Sequence, residues 1–225
     1  MRISIDESVV TVATSLDVGP QAVDGAEAVL SDAERRRARR FTYPAGRRRF
    51  IVARARLRQL LGARLGVPPE SVEFLYGAHG KPALARRFAD SDLRFNVSHC
   101  DDVAVYALST GREVGIDVEA IRVIPGGDDI PARFFSPREN AAYRALDARD
   151  RPLAFLNCWT RKEAFLKALG DGLYHPLDRF DVSLAPGEPA KILRVENTPG
   201  DQCGWRMEGF SPAPGFVAAV VSETA

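Results

Sequence analysis

Residues 159–167, Trp-Thr-Arg-Lys-Glu-Ala-Phe-Leu-Lys, constrain the fold more tightly than any other stretch. They read as the second half of a helix that Asp150 caps, Pro152 opens and Gly170 ends. Trp159, Glu163 and Lys167 are spaced four apart and share one stripe. Leu153, Phe155, Leu156, Ala164, Phe165, Leu166, Ala168 and Leu169 make most of the remaining surface apolar, so the helix is predicted to be buried. A fold that buries it must still accommodate a carboxylate and an ammonium, which are costly away from water unless paired or bound to a metal. A solvated Glu–Lys pair is the simpler alternative.

A second carboxylate pair lies upstream. Glu113-Val-Gly-Ile-Asp-Val-Glu119 alternates as a strand does, with Val114, Ile116 and Val118 on one face and Asp117 and Glu119 together on the other. Like charges on one strand face repel unless the face is exposed or a cation sits between them. Oxygen ligands with no nearby histidine or cysteine cluster favour magnesium or manganese over zinc.

Charge is unevenly divided. Residues 1–112 hold 18 basic and 13 acidic side chains (net +5), and residues 113–225 hold 13 and 17 (net −4). Eleven arginines fall between Arg35 and Arg58, in two helices, the first opened by Ser31-Asp-Ala-Glu34. The second carries Phe50, Ala53, Leu57, Leu61 and Leu65 on its apolar stripe, with Arg47, Arg54 and Arg58 opposite. Such a run suits a solvated face, nucleic acid, or the phosphates of a small ligand, which arginine grips with two donors. Lysine is scarce, at four against 27 arginines, and Lys81, Lys162 and Lys167 all fall in the stretches singled out here.

The remaining order is α+β, and the helix-then-strands sequence of the first half recurs in the second. Residues 2–16 read as one or two strands, ended by Gly19-Pro20. Tyr76-Gly-Ala-His-Gly-Lys-Pro82 is a turn whose glycines let the backbone approach a ligand. Leu93–Val97 reads as a strand ending at Ser98-His99, and Val103–Leu108 returns after an Asp101-Asp102 turn. A serine and histidine there suggest a hydrolase pair, but no G-x-S-x-G elbow accompanies them. Ile121–Pro131 reads as a loop, and Ser136-Pro-Arg-Glu139 opens another helix just after Phe134-Phe135. Four short strands close the chain. No run is long enough to span a membrane, and three cysteines without a CxxC pair fit a reduced cytoplasmic protein.

Gly80-Lys-Pro82, Phe95-Asn-Val-Ser-His99, Gly115-Ile-Asp-Val-Glu119 and Trp159–Lys167, in this order and spacing, resemble the phosphopantetheinyl transferases of the surfactin-synthetase type. Arg133-Phe-Phe-Ser136 and Gly172-Leu173 before Pro176-Leu177 add to the resemblance. It implies two similar α/β halves related by a pseudo-twofold axis, each a small, mostly antiparallel sheet with packed helices. Residues 1–110 would form the basic, phosphate-binding half, and residues 111–225 the acidic half with the metal and a carrier-protein loop. It implies magnesium-dependent transfer of the phosphopantetheine arm of coenzyme A to a serine of an acyl or peptidyl carrier protein, releasing adenosine 3′,5′-bisphosphate. By position, Asp117, Glu119 and Glu163 would hold the metal. Lys81, His99 and Lys167 would contact the phosphates, Gly80, Pro82, Ser98 and Asp117 would complete the coenzyme A site, and Glu163, Lys167 and His99 would serve catalysis. Arg37, Arg49 and Arg54 fall near the family's basic positions for the nucleotide. The expected protein is a cytoplasmic monomer without nucleic-acid or membrane partners. Another magnesium-dependent phosphotransferase or nuclease, or an arginine-rich nucleic-acid-binding module, are the competing readings.

Overall fold

The structure, a computed structural model, describes residues 2–4, 9–77, 82–122, 129–170, 176–196 and 204–224. The expectations placed on Gly80, Lys81 and the Gly172-Leu173 turn lie outside the described residues.

One connectivity is used twice. A strand β2 (Val9–Ser15) leads through two short helices, α1 (Pro20–Ala28) and α2 (Asp32–Ala38), to a long helix α3 (Pro44–Leu65). A small ribbon of β3 (Phe74–Tyr76) and β4 (Pro82–Leu84) follows, then a hairpin of β5 (Leu93–Cys100) and β6 (Val103–Thr110). The second pass repeats it: β7 (Val114–Ala120), α4 (Asp129–Phe134), α5 (Pro137–Arg144) and α6 (Arg151–Leu169). The ribbon β8 (Phe180–Val182) and β9 (Ile192–Val195) and the hairpin β10 (Trp205–Phe210) and β11 (Phe216–Glu223) complete it. In each sheet the last hairpin strand lies between its partner and the first strand, giving the orders β2-β6-β5 and β7-β11-β10. A short β1 (Arg2–Ser4) extends the first sheet beyond β2, and every pairing is antiparallel.

Period-two burial turns the two sheets into layers. Val10, Val12, Phe95, Tyr106 and Leu108 face α3, where Leu57 and Leu61 meet them. Val9, Ala13, Val103, Val105 and Ala107 face Ile116, Val118, Ala218 and Val220 of the other sheet. Ala219 and Val221 face α6, with Phe155, Phe165 and Leu166. The order is therefore helix, sheet, sheet, helix, and the halves share the central apolar layer.

Local chemistry explains the helix ends and corrects three expectations. Ser31–Glu34 and Ser136–Glu139 form reciprocal capping boxes as expected, and Gly66 and Gly170 end α3 and α6 with φ of 67° and 81°. Asp150 precedes α6 without a side-chain cap, because its own φ and ψ are already helical. Part of the expected 121–131 loop is helical, since α4 begins at Asp129. The arginine face of α3 is not uniformly solvated. Arg58 is buried, with Nε 2.8 Å from Glu34 Oε2 and Nη1 donating to the carbonyls of Pro69 and Val72. The Glu34 carboxylate thus serves a helix cap and a buried guanidinium at once.

Candidate active site at the junction of the halves

Gly115 sets the site's geometry. A Cβ on this β7 residue would lie 2.1 Å from the Ala164 carbonyl oxygen and 2.3 Å from the Ala168 nitrogen, so the α6 backbone rests directly on the strand. That contact brings the half-buried stripe of Glu163 and Lys167 over Asp117. Lys167 Nζ lies 2.6 Å from Asp117 Oδ1, and Ser98 Oγ, on β5, donates to the same oxygen at 2.7 Å while accepting from Lys167 at 3.0 Å. Residues from both halves, 69 positions apart in the chain, meet at one carboxylate oxygen.

The other oxygen of that carboxylate is left without a hydrogen bond. Asp117 is 5 % exposed, and its Oδ2 is buried with no hydrogen-bond partner. Glu163 stands with its pKa raised, first by burial and then by the charges of Asp117 and Glu119, against the pull of Lys167. Burial also raises Glu119, whose Oε2 accepts from Cys100 Sγ at 3.3 Å; Asp117 pushes it further up. Three carboxylates therefore repel one another, and Lys167 beside Asp117, with Arg122 3.8 Å from Glu119, neutralises them only in part. As the side chains lie, no three histidine, cysteine or acidic residues among those described are spaced to hold a metal. The orphaned oxygen, the mutual repulsion and the oxygen-only donor set nevertheless fit a hard divalent cation.

Beyond the carboxylates the surroundings are positive. His99 stands at the end of β5, and desolvation followed by the charges of Lys167 and Arg49 lowers its pKa. Arg49 forms a two-pronged pair with Asp102, at 3.0 and 3.1 Å, which ties α3 to the β5–β6 turn. Asp102 also accepts from Arg48 at 3.0 Å.

The structure thus gathers Ser98, His99, Asp117, Glu119, Glu163, Lys167 and Arg49. Arg54 and Arg37 are engaged elsewhere. Arg54 lies 3.6 Å from Glu34 and 5.2 Å from the Phe74 ring centre, and Arg37 stacks at 5.2 Å on Phe50. Arg37 also lines an open groove of about 630 Å³ with Arg36, Arg40 and Phe41. Pro82 opens β4 opposite Tyr76 and lines a cleft of about 460 Å³ with Arg86, Phe88, Arg94, Glu113 and Gly170.

Lys162 was grouped with the functional lysines on sequence, and the structure removes it from them. It is fully buried on another face of α6, 2.8 Å from Glu139 Oε2 and 2.6 Å from the carbonyls of both Leu177 and Phe180. One helical step separates it from Glu163, and that rotation of about 100° was legible in the spacing. The close approach at Gly115 was not: its glycine is visible in the motif, but the helix that needs it lies far along the chain.

Residues 19–111 match the family model for the N-terminal region of a 4'-phosphopantetheinyl transferase, and residues 113–221 match that of the 4'-phosphopantetheinyl transferase superfamily. The 4'-phosphopantetheinyl transferase HetI of Nostoc sp. is 40% identical over 209 residues, 89% of this chain and 88% of its own. The 4'-phosphopantetheinyl transferase Sfp of Bacillus subtilis is 29% identical, over 85% of this chain and 81% of its own. A solved holo-[acyl-carrier-protein] synthase of Thermotoga maritima aligns with 49% of this chain and 62% of its own, at 23% identity and a TM-score of 0.39. With both halves matched in sequence order, and a relative this similar along almost the whole length, the chain belongs to the 4'-phosphopantetheinyl transferase superfamily.

Proposed function

We propose that the junction of β5, β7 and α6 carries the phosphopantetheinyl transfer of this superfamily, with Asp117, Glu119 and Glu163 as the ligands of one divalent cation, magnesium or manganese. The single observation that supports this most is Asp117, with one oxygen held by Ser98 and Lys167, the other buried without a partner, and its charge felt by both Glu119 and Glu163. The cation, when bound, neutralises the diphosphate of coenzyme A and polarises its phosphorus.

The protein's own residues supply the rest. Lys167 carries its charge one turn from Glu163 and is the group to stabilise the departing phosphate oxygen. His99 donates a hydrogen bond to an arriving phosphate. Arg49, beside it, adds charge, and Lys81 with Gly80 and Pro82 borders the same ligand. Arg37 and Arg54 belong to the nucleotide end of the cofactor, where their aromatic partners hold them away from the carboxylates. Glu163, in its ionised form, accepts the proton of the carrier serine as that hydroxyl attacks phosphorus. The bond to the adenosine 3′,5′-bisphosphate moiety breaks as the new serine–phosphorus bond forms. Residues 1–110 act as the phosphate side and residues 111–225 as the metal and carrier side, with the 121–136 segment meeting the carrier through Phe134 rather than Phe135, which is buried. The free thiols of Cys100 and Cys158 suit a reducing cytoplasm, and the protein acts as a monomer.

The test is to incubate the protein with coenzyme A, magnesium and an apo carrier protein and weigh the carrier. A gain equal to the phosphopantetheine arm, lost in Asp117→Ala and on chelation, supports the reading. An unmodified carrier across acyl and peptidyl types, or full activity in Asp117→Ala, overturns it.

A further inference from the structure

β5 and β7 belong to different sheets, and each is an edge strand of its own. They are joined by side chains. Asn96 Oδ1 accepts from the Ile116 N–H at 3.1 Å, Ser98 Oγ donates to Asp117 at 2.7 Å, and Cys100 Sγ donates to Glu119 at 3.3 Å. These three are alternate residues of one strand, so they share a face by construction. Their neighbours Phe95 and Val97 turn the other way, into the α3 core. The polar face is not a solvated one: Asn96 is 6 % exposed and Ser98 8 %.

We propose that this face is a positioning ladder for the cation site, and that Asn96 is its anchoring rung. The Ile116 amide immediately precedes Asp117. By fixing that amide, Asn96 sets the height of β7 against β5. Ser98 then meets Oδ1 of Asp117 and leaves Oδ2 without a partner, and Cys100 restrains Glu119 in the same manner. Asn96 touches neither cation nor substrate; it acts through the two carboxylates. Only an oxygen can serve the Ile116 N–H, so the amide orientation is fixed by its partner. The ladder rests on the cation reading for its ligands, and its test reads metal binding separately from transfer.

The experiment compares Asn96→Leu, which keeps the volume without the acceptor, with Asn96→Asp, which keeps an oxygen in place. Manganese binding in the presence of coenzyme A is measured by electron paramagnetic resonance. The magnesium needed for half-maximal carrier modification, the KM for the carrier and the melting temperature are measured alongside. Partners behind metal ligands are typically worth about 10–100-fold in metal affinity. Asn96→Leu is expected to weaken manganese and magnesium dependence by about tenfold with the carrier KM unchanged, and Asn96→Asp to recover most of that loss. A folded Asn96→Leu protein with wild-type metal dependence overturns the ladder, as does failure of Asn96→Asp to recover any of it. If Asn96→Leu does not fold, Cys100→Val decides: a weakened metal response supports the ladder and an unchanged one overturns it. A wild-type protein that binds manganese but leaves every carrier unmodified overturns the transferase reading and leaves the manganese comparison to judge the ladder alone.

Discussion

Lys162 and Glu163 are adjacent on α6, and their surroundings could hardly differ more. Lys162 spends its three donors on Glu139, Leu177 and Phe180, while Glu139 accepts in turn from the amides of Ser136 and Val182. Every polar atom there has a partner. Glu163 faces Asp117 and Glu119 with a single lysine between them, and one carboxylate oxygen is left over. A closed network fixes the rotation of the helix; an open one keeps free energy in reserve for a ligand. The closed cluster is fully buried and balances one charge with one, whereas the open one is partly exposed and sets three carboxylates against Lys167. It is the open one that leaves a buried carboxylate oxygen without a hydrogen bond.

The sharpest way to break this comparison is to neutralise each cluster in turn. Glu163→Gln is expected to lower kcat for carrier modification by about 10²–10⁴-fold while leaving the melting temperature unchanged or raised, because it relieves repulsion. Lys162→Met leaves Glu139 buried without its counter-charge and is expected to lose about 3–5 kcal/mol of stability in denaturant unfolding, with activity following the folded fraction. If the two variants exchanged phenotypes, the distinction would fail.

Gly115→Ala joins the clusters. The new methyl must displace α6, and a shift near 1 Å at reacting groups costs about 100-fold in rate. We expect that loss in kcat, with a melting temperature that also falls. Wild-type kinetics in this variant would show that the close contact is dispensable.

The acid dependence separates the clusters more gently. Glu119 and Glu163 have raised pKa values, so the folded state holds protons that the unfolded state has released. The metal-free protein therefore loses stability as pH rises through those raised values, and a cation that needs the ionised forms restores it. The increase in melting temperature on adding magnesium should grow with pH across this range and vanish in acid. An increase independent of pH would place the ion elsewhere. The smallest effect is expected at Asp102, whose pairs with Arg48 and Arg49 lie near the surface. Asp102→Asn should cost less than about 1 kcal/mol in denaturant unfolding, and salt should screen even that.

Much of this was legible in the sequence, and the reasons are periodic. The four-residue spacing of Glu163 and Lys167 put both on the stripe that meets Asp117, and the two-residue spacing of Asp117 and Glu119 put both on one strand face. Trp159, on the same spacing, packs instead on Phe134 and Phe155. The repeated order of helices and strands was visible in outline. What escaped depends on which surfaces meet. Glu34 reads as a cap, and only packing reveals that it also holds Arg58. Asp102 reads as a turn residue, and only the approach of α3 makes it the partner of Arg49. Cys100 gave no signal, and Asn96 showed only its place in the Phe95–His99 motif, until β5 lay along β7. The ribbon β3–β4 was hidden because its strands are three residues each, too short for alternation to register.

The central claim is that Asp117, Glu119 and Glu163 hold one divalent cation at the junction of the two halves. Titrating manganese into the protein with coenzyme A, and counting bound ions by electron paramagnetic resonance, tests it directly. One ion per chain in the wild type, lost or greatly weakened in Glu163→Gln with the fold intact, is the predicted result; equal binding by the two proteins would contradict it.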